Sequence, residues 1–151
     1  VRATLSLRYE HEVARARGAT LLARVLAGAG TDGLPLDEGF GLGGGPESPF
    51  PLRAHRQFED GVSGGAPLGR SLLLFNIEWR QPLLALGPVR LGAAAFYDAG
   101  RAFRGSVDGR WLHDTGVGLR LGLHSTVVRI DYAHGWVDGA NALTLGVGQA
   151  F

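Results

Sequence analysis

Seven stretches of this chain alternate apolar residues with small or polar ones at a period of two, and that repeat constrains the fold more than any other feature. The clearest is the last, residues 142–151 (ALTLGVGQAF), in which Leu143, Leu145 and Val147 alternate with Thr144, Gly146 and Gly148 before the terminal aromatic Phe151. Period two belongs to an extended strand whose two faces meet different surroundings. The other six stretches cover about residues 1–10, 20–29, 71–83, 89–103, 114–124 and 127–136. Each is close to the roughly 9–11 residues that carry a tilted strand across a bilayer, and several exceed the usual soluble strand. Residues 13–26 hold helix-favouring side chains, but Gly18 interrupts them. The chain therefore reads as all-β and antiparallel.

The faces can be written out. Asn76, Glu78 and Arg80 share one side of the third stretch, with Leu73, Phe75, Ile77 and Trp79 on the other. In the fourth, Arg90, Gly92, Ala94, Phe96 and Asp98 oppose Val89, Leu91, Ala93, Ala95 and Tyr97. The fifth sets Gly116, Gly118, Arg120, Gly122 and His124 against Val117, Leu119, Leu121 and Leu123. The sixth has Arg129 and Asp131 against Val128, Ile130 and Tyr132. One face is thus uniformly apolar, and the other carries charge and glycine. A soluble sandwich buries the apolar face, whereas a transmembrane barrel turns it to lipid. Strand length favours the barrel, as do aromatic residues expected near strand ends: Tyr9, Trp79, Tyr97, Tyr132, Trp136 and Phe151. The 25 glycines are interleaved with Leu, Val and Phe inside these stretches, where they relieve crowding in a curving sheet.

The connections alternate as well. Short links at about 84–88 and 125–126 define one rim, and longer ones at 30–70 and 104–113 the other. That is the asymmetry of outer-membrane barrels, short side periplasmic, and it places the 30–70 connection outside. A loop of that length in a compact domain is uncommon and usually functional. It could fold back and set an arginine between Glu78 and Asp98, the carboxylates of consecutive lumen-facing strands, since guanidinium–carboxylate pairing is planar and bidentate.

Several function classes find no support. No apolar run reaches about 18 residues, the length of a spanning helix. Cysteine is absent, which removes disulfides, thiolate metal sites and a cysteine nucleophile. The net charge of +1 comes from scattered basic residues, unlike a nucleic-acid surface. His11, His55, His113, His124 and His134 stand apart, without the spacing of a metal cluster. His124 and Asp131 are expected to face one another across the turn at Ser125 as a hydrogen-bonded lumenal pair. Ser48, Ser63 and Ser71 lack the glycine-flanked elbow of a hydrolase. The glycine run 41–45 precedes no Lys-Ser/Thr, and the chain contains no lysine, so it is no phosphate loop. No catalytic residue, metal or cofactor is expected, and the chain does not read as an enzyme.

Four segments then resemble successive motifs of one family: Asp37-Glu38-Gly39-Phe40-Gly41-Leu42-Gly43-Gly44, Leu52-Arg53-Ala54-His55, Asn76-Ile77-Glu78-Trp79-Arg80-Gln81-Pro82-Leu83 and Phe96-Tyr97-Asp98-Ala99-Gly100. In order and spacing they are similar to the BamA/TamA outer-membrane assembly superfamily (the bacterial surface antigen family), which also includes two-partner secretion transporters. The resemblance implies an antiparallel transmembrane β-barrel of the bacterial outer membrane, with residues 1–151 supplying the last seven strands of a sixteen-stranded wall. It implies that the long loop enters the lumen and that its tip arginine, Arg53, meets Glu78 and Asp98. The departure lies at Ala54 and His55, where the family usually has glycine and an aromatic. Alanine does not adopt positive φ cheaply, so the tip backbone is expected to differ, and Arg56 remains an alternative tip. Leu145, Val147 and Phe151 mark the terminal targeting strand.

Seven strands fall short of about eight, the smallest bacterial membrane barrel, and an unpaired edge is forbidden in lipid. No secretory leader is visible, so an outer-membrane reading implies further chain before Val1. Upstream strands of the same barrel, further copies or a larger complex would complete the wall. The implied activity is non-enzymatic: insertion or translocation of client polypeptides, with membrane lipids as further partners. The alternatives are a two-partner secretion pore, a passive barrel anchoring a secreted enzyme, and a soluble β-sandwich binding module.

Overall fold

A computed structural model of the chain describes residues 1–14, 18–33, 35, 38–43, 51–55, 58–59, 62–63, 68–103 and 109–148. The strands are β1 (Arg2–Ala14), β2 (Ala19–Gly30), β3 (Phe40–Gly41), β4 (Phe58–Glu59), β5 (Val62–Ser63), β6 (Leu68–Gly69), β7 (Ser71–Leu86), β8 (Val89–Phe103), β9 (Leu112–Leu123), β10 (Thr126–Gly135) and β11 (Asn141–Val147). No α-helix occurs among the described residues. Seven strands form one antiparallel sheet in the order β1-β2-β7-β8-β9-β10-β11. The sheet is open, with β1 and β11 at its edges. The ladders β3–β6 and β4–β5 belong to the connection between β2 and β7.

The helix-favouring stretch 13–26 is strand on either side of a turn, with Gly18 at φ 61° where the chain reverses. Strand β11 is followed by Gly148 at φ 95°, a conformation that glycine reaches without the Cβ penalty. Phe151 lies outside the described residues, as do Asp37, Gly44 and Arg56.

The two faces separate as the alternation requires. Leu5, Leu7, Val117, Leu121, Leu143 and Leu145 are exposed on one face, Leu145 to 66%. Asn76, Glu78, Asp98, Asp114 and Asp131 are buried on the other. One expectation needs correction. Trp79, Tyr97 and Tyr132 sit mid-strand, not near strand ends. Register nonetheless aligns them: one row across the sheet holds Tyr9, Ala23, Ile77, Tyr97, Thr115 and His134. The next row carries His11, Trp79 and Tyr132, so the aromatics form a band along the hydrogen-bonding direction.

The inner face also carries a cluster of large apolar residues. Leu26, Leu72, Leu74, Ala102 and Leu112 cluster at its end nearer the long connection, and Phe40, Leu42 and Leu52 of that connection cover them. Burial of each large side chain contributes roughly 1.5–3 kcal/mol. The connection is thus a packed lid on the sheet, whose apolar contacts lead the chain to its polar tip.

Candidate functional site

The tip is a tight turn, Leu52 to His55, closed by the His55 amide donating to the Leu52 carbonyl at 3.0 Å. It lies over two register rows. One pairs Asn76 with Asp98 and Asp98 with Asp114; the other pairs Glu78 with Phe96 and Phe96 with Gly116. The first row sets two aspartates directly opposite each other, a repulsive arrangement unless each is met by its own donors.

Arg53 meets the first of them, Asp98, together with Glu78 of the second row. Its Nε donates to Asp98 Oδ2 at 2.7 Å, its Nη2 to Asp98 Oδ1 at 2.9 Å, and its Nη1 to Glu78 Oε2 at 2.5 Å. Asn76 Nδ2 donates to Asp98 Oδ1 at 2.7 Å and to the Pro51 carbonyl at 2.9 Å, tying the base of the tip to the same carboxylate. The Arg53 Cζ stands 3.4 Å from the centre of the Phe96 ring, which adds a cation–π contact. Arg53 is 5% exposed. Burial alone would lower its pKa, but Asp98 and Glu78 outweigh that and hold the guanidinium above its usual range.

Asp114 is met from the next two residues of the tip. The Ala54 amide donates to Asp114 Oδ2 at 2.7 Å, and His55 Nδ1 lies 3.2 Å from the same carboxylate. His55 Nε2 lies 2.8 Å from Asp138 Oδ2, in the turn between β10 and β11. His55 is 2% exposed, so burial presses its pKa down. The hydrogen bonds and charges of Asp114 and Asp138 outweigh that and raise it. Asp138 moves the other way: its slight burial is outweighed chiefly by the bond from His55, which lowers its pKa.

The network continues along the inner face. Glu78 Oε1 accepts from Arg80 Nε at 2.7 Å and from Arg120 Nη2 at 3.1 Å. Arg120 Nη1 donates to Asp131 Oδ1 at 2.5 Å, and Arg129 Nη1 to Asp131 Oδ2 at 3.4 Å. Arg53, Arg80, Arg120 and Arg129 thus pair with Glu78, Asp98 and Asp131, and Asp114 is met by His55 and the Ala54 amide, so that each buried carboxylate finds a partner.

The structure brings Arg53, Glu78 and Asp98 into direct contact. Leu145 and Val147 point from β11 to the apolar face, exposed to 66% and 64%. Ala54 does not adopt positive φ, since His124 is the one non-glycine residue at positive φ among the described residues. The expected His124–Asp131 pair does not form: His124 occupies the exposed turn after β9, and Asp131 is taken by Arg120 and Arg129. Sequence reasoning passed over Asp114, His55 and Asp138 as site residues. For Asp114 the signal was present, two positions before Gly116 on the inward face; Asp138 lies in a turn, where period two is silent. Among the described residues no group of His, Asp and Glu is placed to hold a metal.

An antiparallel sheet with one exposed apolar face and an inner face tied to a loop arginine is consistent with a stretch of β-barrel wall. The model of the Omp85 superfamily domain matches residues 1–151, and the chain belongs to that superfamily. Its members are bacterial outer-membrane proteins, non-enzymatic transporters or insertases that act on polypeptides. Neither the curated proteins nor the solved structures compared with the chain gave a significant match.

Proposed function

We propose that residues 1–151 form the C-terminal portion of a sixteen-stranded outer-membrane barrel that inserts or translocates client polypeptides through a lateral seam bordered by β11. The observation that carries this reading is the two-faced sheet. Its large apolar residues are exposed on one side from β1 to β11, while the buried residues of the inward side lie under the long connection or in ion pairs. A contiguous exposed apolar face marks a membrane or partner surface, and superfamily membership favours the membrane. In this reading connection 30–70 leaves the barrel on the extracellular side and returns into the lumen. Arg53, Glu78 and Asp98 anchor it there, and Leu145, Val147 and Phe151 belong to the targeting strand.

The seam is placed at β11 because that strand forms one sheet edge, and a client strand can extend an edge through main-chain hydrogen bonds. Gly146 within it offers no side chain to pack, and Gly148 at φ 95° ends its extended course. Photo-cross-linkers at Leu143, Leu145 and Val147 in the full-length protein test the reading. Adducts to a client during its insertion or passage are expected. A seam that yields none while clients are handled overturns the lateral route, and steady conductance with no client handled overturns the activity.

A further inference from the structure

Short of the Arg53 anchor, towards the rim of short turns, the inner face carries a cleft of about 400 Å³ lined by Arg80, Arg90 and Arg120 around Gly92, Gly122 and Val127. Register explains the space. Arg90 is paired with Gly122, Arg120 with Gly92 and Arg80 with Ala94, so each long cation faces a residue with little or no side chain. A Cβ at Gly122 would come within 3.4 Å of the Arg90 Cβ, and one at Gly92 within 3.8 Å of the Arg120 Cβ.

The donors of this cleft are not exhausted. Arg120, 7% exposed, spends Nη1 on Asp131 and Nη2 on Glu78, and its buried Nε has no partner among the described residues. Arg80 gives Nε to Glu78 and leaves a buried Nη2 without a partner among the described residues. Arg90 is exposed and makes no ion pair among the described residues. The carboxylates that Arg80 and Arg120 contact, Glu78 and Asp131, are already shared with Arg53 and Arg129. Among the described residues the cleft lining holds three guanidiniums and no carboxylate, so cationic donors are in excess there. A guanidinium fork is matched in geometry by a carboxylate.

We propose that the Arg80–Arg90–Arg120 cleft binds the side-chain carboxylates of an acidic polypeptide segment entering from the rim of short turns. The occupant as polypeptide rests on the activity proposed above, whereas the anion preference rests on the cleft alone. The full-length protein in zwitterionic lipid nanodiscs is titrated with a fluorescent Glu-rich peptide and with a Lys-rich peptide of equal length. The Glu-rich peptide binds, more weakly as salt is raised, and the Lys-rich peptide does not. Arg90→Glu weakens binding about tenfold or more, the loss expected for one charge-assisted contact, and Arg90→Gln weakens it less. Protease protection of connection 30–70 stays unchanged in both variants, which shows the anchor intact. Equal binding of both peptides, unaltered binding to Arg90→Glu, or displacement by inorganic phosphate at concentrations equal to the peptide's overturns the proposal. Client insertion measured on the same nanodiscs separates the two readings: its absence with peptide binding retained removes the activity but not the cleft.

Discussion

Phe96 on β8 is registered directly opposite Gly116 on β9, and its ring fills the space that a side chain at position 116 would need. The same ring carries the Arg53 guanidinium. A glycine seats the aromatic, and the aromatic offers its π face to the cation. The loop anchor therefore depends on a residue whose only contribution is the absence of a side chain.

Gly116→Val tests that dependence. A Cβ there meets the Phe96 ring and the Tyr132 carbonyl oxygen, and the main-chain atom cannot swing away. Overpacking of this kind costs about 1–3 kcal/mol. The variant is expected to unfold at lower temperature and to expose connection 30–70 to protease. Phe96→Leu, which removes the π surface without crowding, should lose only about 0.5–2 kcal/mol. Equal protection in Gly116→Val and the parent would refute the arrangement.

Arg53→Ala leaves Glu78 and Asp98 buried with fewer donors, and breaking a buried pair from one side costs roughly 3–5 kcal/mol. It is expected to impair client handling and to raise cleavage within 30–70. Arg53→Lys keeps the charge, yet a single ammonium cannot reproduce the fork that meets Asp98 at two oxygens and Glu78 at a third. Lysine should restore only part of the protection. Full rescue by lysine would show that charge alone, without planar geometry, holds the loop.

Phe40 makes the apolar end of the lid equally specific. Its ring lies where a Cβ on Gly28 would approach within 2.7 Å, and Arg2 stacks over it at 5.1 Å. Gly28→Val is expected to evict Phe40 from the cluster with Leu42 and Leu52 at a cost of about 1–3 kcal/mol. Limited proteolysis should then cut the early part of the connection while the Arg53 contacts persist. Simultaneous loss of both ends would show that the lid behaves as one cooperative unit.

The wall of this fold was legible because alternation is enforced residue by residue along Ser71–Leu86 and Val89–Phe103, where apolar-face and inner-face positions cannot exchange without moving every side chain to the other face. Glu78 and Asp98 were readable for the same reason. The lid was not. Leu72 and Leu74 continue the inward row of Asn76 and Glu78, and only their cover, Phe40, Leu42 and Leu52, makes apolar residues suitable there. That cover comes from a connection with no periodicity. Nor does strand pattern reach His55 or Asp138, since a tip and a turn are brought together by packing of elements distant in the chain.

His55 links the tip to two strands through a titrating group, so the hold on the loop should depend on pH. The groups facing it are Asp114 from β9 and Asp138 from the β10–β11 turn. Its folded-state pKa is raised above the ordinary value of 6.5, so its contribution is complete below 6.5 and is lost as pH rises through the raised value. Asp138 has the opposite sign: its pKa is lowered from 3.8, so its contribution is present above 3.8 and is lost as pH falls through the lowered value. The tip is therefore held best between those limits, with both partners charged. Protease protection of 30–70, followed as pH is raised from 6.5, should fall in the parent protein and stay level in His55→Gln, which keeps hydrogen bonding but cannot titrate. A parallel decline in both would place the pH response elsewhere.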